Sequence, residues 1–320
     1  MTVFQKFIQW SRQVYWIRRA KAFIDRVVIP GFDKVPFLII LRFFFKGIIE
    51  GYITSRASAI AFSFFLALFP ALIFLFSLIP FIPVDNFQEE LISQIQLLLP
   101  KNAYSLVEET LKDLVRHKRT SLLSFGIITT LYFSTNGINS IISAFNLSYH
   151  TLVIRNWISQ QVTALWLTLS LFLFVITAIT LIIFGQDIIG LLIDKIELLS
   201  TVEWFLLLGA KWFIIIALIY FSISLLYYAG PKEKKHWKFF SAGSTLSTFC
   251  IIMFSLAFAF YVNNFGQYNK LYGSIGTLMV VMVWIYLNCI ALLIGYELNA
   301  AIKGARTRIM NLSNSTMSQL

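Results

Sequence analysis

The chain has 320 residues, 58% apolar and 17% aromatic, with only 13% charged and a net charge of +11. Soluble domains carry about 25% charged residues, so a water-soluble fold of this length lacks the polar surface to cover its core. That excludes an ordinary soluble globular protein. The positive balance, which elsewhere would suggest nucleic acid, follows here from where the charges are placed.

Residues 1–34 are basic and aromatic, mixing Trp10, Tyr15 and Trp16 with Arg12, Arg18, Arg19, Lys21 and Arg26. The first 30 residues hold six Lys or Arg and no apolar core, which is not the pattern of a cleavable signal peptide. An amphipathic helix of this kind suits an anionic leaflet. Between Val35 and Ile53 the chain is more apolar, but Arg42, Lys46 and Glu50 recur every four residues, on one helix face. This predicts an interfacial or elbow helix leading into the membrane; a seventh span is the alternative. Residues 1–56 are thus read as a basic cytoplasmic and interfacial segment.

Next come six uncharged runs. A helix needs about 20 apolar residues to cross a bilayer, and charge at the bilayer centre is costly. The runs hold 28 residues (Arg56 to Asp85), 35 (Arg119 to Arg155), 31 (Arg155 to Asp187), 20 (Lys211 to Lys232), 31 (Lys238 to Lys270) and 26 (Lys270 to Glu297). They place spans near 58–82, 121–145, 158–184, 204–228, 239–262 and 272–296. The predicted fold is therefore all-α: a polytopic membrane protein with a six-helix membrane domain over 57–303 and a polar cytoplasmic tail over 304–320.

Span one carries Pro70 near its middle, which removes a backbone hydrogen bond and marks a hinge candidate; Pro80 and Pro83 end it. Between spans one and two, residues 84–120 form the largest extramembrane insertion. Apolar faces at Phe87, Leu91, Ile95 and Leu98, then at Val107, Leu111, Leu114 and Val115, predict an amphipathic outer helical hairpin divided by Pro100. Span two has a polar face: Tyr132, Asn136, Asn139, Ser143 and Asn146 step by four, three, four and three. An unpaired amide in hydrocarbon is expensive, so this face must meet other helices or water. Helix–helix hydrogen bonding is the bland reading and the favoured one; lining of a polar pathway is the functional one. Gly137 beside it permits close approach. The segment 187–200 resembles the hairpin in pattern. Lys211, near the outer end of span four, is expected to snorkel.

Spans five and six are joined by Tyr261–Gly276, rich in turn formers such as Asn263, Asn264 and Asn269 and in interface aromatics such as Tyr268 and Tyr272. This is read as an outer turn; a ligand-lining re-entrant loop is the alternative. Span six adds Asn288 and ends with Glu297 and Asn299. Glu297 sits at the cytoplasmic boundary, where an exposed carboxylate is expected.

With both termini cytoplasmic, the inside segments hold 18 Lys and Arg against 8 outside, and 5 acids against 10. This is the positive-inside bias, with Lys112, Arg116, Lys118 and Arg119 running against it. Cys250 and Cys289 fall inside spans and give neither a disulfide framework nor a metal spacing.

Several stretches resemble the YihY/BrkB family of bacterial inner-membrane proteins: Ser58-Ala-Ile-Ala-Phe62 with Phe69-Pro70 and Ile79-Pro-Phe-Ile-Pro83; Ala144-Phe-Asn-Leu-Ser-Tyr149; Tyr261 to Gly276; and Trp284-Ile-Tyr-Leu287 with Gly295-Tyr-Glu-Leu-Asn-Ala300. The resemblance covers about residues 40–303. Tyr296 departs from it, since the family often has Ala there. It implies six spans, cytoplasmic ends and a bacterial inner-membrane location. It transfers no catalytic residues: members have carried the label ribonuclease BN, and others are linked to serum resistance or to transport.

The expected function is transport of a small solute or a lipid, with membrane lipids as partners and no nucleic acid. The alternative is an envelope scaffold without transport. Neither cofactor nor metal is expected, and no enzyme activity: His117, His150 and His236 are scattered, and metal-dependent phosphodiester cleavage needs clustered carboxylates or histidines. The candidate functional residues are Tyr132, Asn136, Asn139, Ser143, Asn146, Asn263, Asn264, Tyr268, Tyr272, Asn288, Glu297 and Asn299, with Pro70 as the hinge. Substrate, coupling ion and oligomeric state are left open.

Overall fold

A computed structural model describes residues 35–81, 119–148, 156–193, 200–232, 238–265 and 274–317, together with Ile92 and Asp113. The basic segment 1–34, nearly all of the expected outer hairpin and the centre of the 261–276 loop lie outside the described residues. Seven α-helices make up the rest: α1 Phe37–Glu50, α2 Ile53–Leu78, α3 Thr120–Asn146, α4 Trp157–Ile193, α5 Ser200–Ala229, α6 Ala242–Phe265 and α7 Ser274–Met317.

Each of the six helices after α1 overlaps one of the predicted spans, and α7 continues well past its own to Met317. Five of them, α2, α4, α5, α6 and α7, contain stretches long and apolar enough to cross a bilayer. Helix α3 has spanning length and no charged residue; its Asn, Ser and Thr content sets it apart from the others. The protein is an α-helical, membrane-embedded polytopic chain. Large apolar side chains such as Phe62, Ile128, Trp166, Phe213 and Phe249 are exposed on it, as lipid-facing side chains must be.

Helix α1 is an elbow rather than a seventh span, because 14 residues are too few to cross. Its charged side carries an exposed Lys46–Glu50 pair at 3.7 Å. Its apolar side, Ile40 with Ile39, Phe43 and Phe44, packs on Ala301, Ile302 and Ala305 of α7. The chain then turns at Gly51 and Tyr52. Tyr52 has φ of 49°, the left-handed region that ordinary residues avoid. A Cβ on Gly51 would lie 2.2 Å from the Gly47 carbonyl oxygen, so only glycine fits the turn.

Helix α2 continues through Pro70 to Leu78, and a 3-10 turn at Ile79–Phe81 carries Pro80. Helix α3 returns antiparallel along it, and this is the most extensive helix pairing in the structure together with α6 on α7. Gly126 backs onto the Phe74 backbone, Gly137 onto the Phe64 ring, and Ser140 Oγ lies 2.8 Å from Ser63 Oγ. The small residues of α3 therefore set the approach distance, as expected of helices that gain little from hydrophobicity in lipid.

Helix α7 has 44 residues, about 66 Å at 1.5 Å per residue and roughly twice the hydrocarbon thickness. It passes without a break through residues 303 and 304, where the membrane domain was expected to give way to the tail. Helix α1 packs over its Ala301 and Ala305.

Among the described residues the main core lies toward one end of the helices. The main core joins Ile53, Ala57 and Ile60 of α2, Ile138, Ile142 and Phe145 of α3, Leu167 of α4, Tyr227 of α5 and Leu293 and Tyr296 of α7. These positions lie toward the N-terminal ends of α2 and α4 and toward the C-terminal ends of α3 and α5.

A buried ion pair where the helix ends converge

Arg56 opens the first long helix, and Glu297 lies 241 positions away on the last. Both are buried, with side chains 7% and 0% exposed, and they form a salt bridge of 2.5 Å. Each is held by a further bond. Arg56 Nη1 donates to the Ala144 carbonyl at 2.8 Å, and Ser148 Oγ donates to the other Glu297 oxygen at 2.9 Å. Arg56 Nε has no hydrogen-bond partner. The cluster thus ties α2, the end of α3 and α7 together. The expectation that Glu297 would be an exposed boundary carboxylate is overturned. Arg56 of α2 and Ser148, in the turn after α3, close over it.

Beside the pair stand three aromatic rings. Phe145 stacks on Tyr296 at 4.1 Å with planes 5° apart, and Tyr227 meets both rings edge-on. Tyr296, the position that departs from the resembling family, is therefore a central packing residue. The Tyr227 hydroxyl lies 2.5 Å from Ser247 Oγ and donates to the Leu292 carbonyl. Ser247 in turn donates to the Ala291 carbonyl at 2.8 Å. Here α6 and α7 nearly touch: a Cβ on Gly243 would fall 2.2 Å from the Gly295 oxygen, and one on Gly295 would fall 2.1 Å from Ser247 Oγ.

Asn299 is buried at the same end and bonds the start of α6. Its Oδ1 accepts from the Gly243 N–H at 2.9 Å, and its Nδ2 donates to Ser241 Oγ at 2.9 Å. Ser241 Oγ accepts from the Ser244 N–H at 3.1 Å. Two of the orphan donors of an N-terminus are thereby satisfied, one by the cap residue and one by the neighbouring helix.

The polar face of α3 is divided between two environments. Tyr132 and Asn136 are exposed. Asn139 is buried and donates to Gln161 Oε1 of α4 at 2.7 Å, while Gln160 of α4 donates to Ser143 Oγ at 2.8 Å. Asn139 Oδ1 is buried without a partner. Asn146 is half-buried. Asn288 donates to the Trp284 carbonyl of its own turn at 2.8 Å and accepts a longer bond of 3.5 Å from Ser255. Pro70 is half-buried within α2. Asn263 and Asn264 lie in the last turn of α6, with their side chains outside the described set; Tyr268 and Tyr272 are outside it altogether. So are His117, His150 and His236, and the Lys211 side chain. Among the described residues no three His, Cys, Asp or Glu are grouped as metal ligands would be. Cys250 and Cys289 are free.

Sequence reasoning missed Arg56, Ser148, Gln160, Gln161 and Tyr227. A signal existed for the first two. Arg56 abuts the Ser58–Phe62 stretch, Ser148 lies inside Ala144–Tyr149, and Glu297 lies inside Gly295–Ala300, so the ion-pair cluster is built from three of the stretches that carried the family resemblance.

The fold and this cluster define a polytopic helical membrane protein whose first and last long helices are joined by a buried charge pair. The chain belongs to the virulence factor BrkB family, whose profile matches residues 44–316. It is 32% identical over 77% of its length to YfkH of Bacillus subtilis, a protein named as ribonuclease-like, covering 88% of that chain. It is 25% identical over 80% of its length to a UPF0761 membrane protein of Haemophilus influenzae, covering 91% of it. It is also 30% identical, over 24% of its length and 26% of the relative, to a UPF0761 membrane protein of Vibrio cholerae. No solved structure matches the chain.

Proposed function

We propose that the protein lies in the bacterial inner membrane with both ends cytoplasmic, crosses it six times, and moves a lipid or small solute across it. In this reading α3 is the sixth crossing, supported by its antiparallel pairing along α2 from Arg56 on Ala144 to Phe74 beside Gly126. The positive-inside distribution supports the orientation.

The observation that carries the transport reading is the buried Arg56–Glu297 pair. Burying two charges costs about as much as their attraction returns, and well-packed apolar residues often serve stability better. Ionisable side chains inside membrane bundles mark pathways and switches. A pair that clamps α2, α3 and α7 at one end suits a closure that opens and re-forms.

The test is flux in proteoliposomes, with fluorescent phosphatidylglycerol as lipid probe and a panel of small anions as solutes. Glu297→Gln is expected to suppress flux at some cost in thermal stability, and Arg56→Met with Glu297→Leu, which leaves no unpaired charge, is expected to stay monodisperse and still lack flux. Asn136→Leu with Asn139→Leu tests the α3 face in the same assay. Flux unchanged by Glu297→Gln removes the pair from the mechanism. Absence of any flux, together with one stoichiometric copurifying partner, replaces transport by scaffolding. RNA cleavage by purified protein, lost in a point variant, replaces it by the activity in YfkH's name.

A further inference from the structure

Helices α6 and α7 touch at one end and line an apolar groove toward the other. At Gly243 and Gly295 their backbones are in contact, and at Ser247 and Ala291 they are bridged at 2.8 Å. Farther along, Ser255 of α6 donates to Asn288 Oδ1 of α7 at 3.5 Å. From that level toward the end of α6 runs a groove of about 510 Å³, walled by Phe254, Ala257 and Phe258 of α6 and by Val280, Val283 and Leu287 of α7. Tyr261 lies on its rim at the end away from the ion pair, where an aromatic with a polar tip suits the membrane interface.

We infer that this groove is a binding site for one acyl chain of a membrane lipid; as a substrate site it rests on the lipid branch of the transport reading. Its volume is in the range of small-molecule sites. Left empty, it forfeits dispersion contacts along every wall. Water finds no hydrogen-bond partners on walls made of Phe, Ala, Val and Leu, and genuinely apolar cavities stay dry. Both walls belong to stretches of membrane-spanning length and apolarity, Ala242–Val262 and Leu278–Arg308. At that depth the surrounding medium is hydrocarbon, so the molecule at hand with the right chemistry is an acyl chain. The groove is shaped by fixed features: the glycine contact prevents the helices from splaying at one end, and Ala257, small between two phenylalanines, leaves the floor open.

The experiment reconstitutes the full chain in vesicles of phosphatidylethanolamine and phosphatidylglycerol. A trace of phosphatidylglycerol bears a photoreactive diazirine midway along one acyl chain, and adducts are mapped by peptide mass spectrometry. Adducts are expected to concentrate on 254–261 and 279–287. Ala257→Trp from one wall and Val283→Trp from the other are each expected to lower them about tenfold. Phe249→Trp, an exposed position on α6 outside the groove, is expected to leave them unchanged. Gel filtration and melting temperature identify any variant that does not fold, and the other wall's variant then decides. Adducts spread evenly over the Phe249 surface and the groove overturn the site in favour of ordinary annular lipid. So do disulfides between two copies carrying Val283→Cys, or photo-adducts unaffected by both tryptophans. Groove labelling without lipid flux sinks the transport reading and leaves the site standing; lipid flux that survives Ala257→Trp while labelling is lost takes the groove off the pathway.

Discussion

Arg56 and Glu297 are worth separating from each other experimentally. Removing one partner of a buried pair leaves an uncompensated charge and costs about 3–5 kcal/mol, whereas replacing both by apolar residues is often nearly neutral. Arg56→Met is therefore expected to lower the melting temperature sharply in detergent, and Arg56→Met with Glu297→Leu to recover most of the loss. A double variant as unstable as the single one would show that Ser148 and the Ala144 carbonyl depend on the charges. Glycine positions give a second contrast. A Cβ at Gly295 has no room beside Ser247 and Gly243, so Gly295→Leu is expected to cost more than about 4 kcal/mol, the range reserved for severe core disruption. At Gly209 nothing lies within 4 Å, so Gly209→Ala is expected to stabilise α5 by about 0.5–1 kcal/mol through helix propensity alone. Parallel thermal melts decide between them.

At the scale of the element, the polar face of α3 was visible as a spacing of Asn, Ser and Tyr, but spacing does not say what the face meets. Asn139 and Ser143 meet Gln161 and Gln160 of α4, while Tyr132 and Asn136 remain exposed. The two glutamines sit at the start of a long apolar helix and drew no attention in sequence, because a pair of amides near a helix start reads as interface polarity. Interhelical hydrogen bonds of this kind contribute on the order of 0.6–1.7 kcal/mol in membranes. A double-mutant cycle of Asn139→Leu and Gln161→Leu is expected to show a coupling of that size. Zero coupling, with lost flux, would return Asn139 to the pathway-lining role and detach it from packing. A short helix before the first span was legible from Arg42, Lys46 and Glu50, but its resting place on Ala301 and Ala305 was not, because that contact joins the first described helix to the last.

For the whole molecule the decisive quantity is sidedness. In the proposed orientation the end with the ion pair, the aromatic trio and the capped start of α6 faces the cytoplasm, and the groove end of α6 and α7 faces outward. In a background with Cys250 and Cys289 replaced by alanine, Lys232→Cys is expected to resist a membrane-impermeant maleimide in intact cells, and Asn102→Cys to react. The reverse labelling would invert the assignment and put the ion pair at the outer surface. Tight packing at one end with an open groove at the other also predicts where hydrogen exchange is slowest among described backbone amides: around Leu226 and Leu293 before Phe258 and Val283.

The six long helices could be read from sequence because hydrocarbon excludes fixed charge, and that exclusion is written along the chain as uncharged runs of countable length. Membrane class and elbow helix follow from this linear rule. The fate of Glu297 does not, because its burial depends on a guanidinium 241 positions away and on a serine in the turn after α3. The pairing of Gly243 with Gly295 and the groove beyond it are likewise set by how two distant helices cross. Charge patterning constrains each residue's depth in the bilayer; which residues face one another at that depth is a matter of packing, and no local pattern carries it.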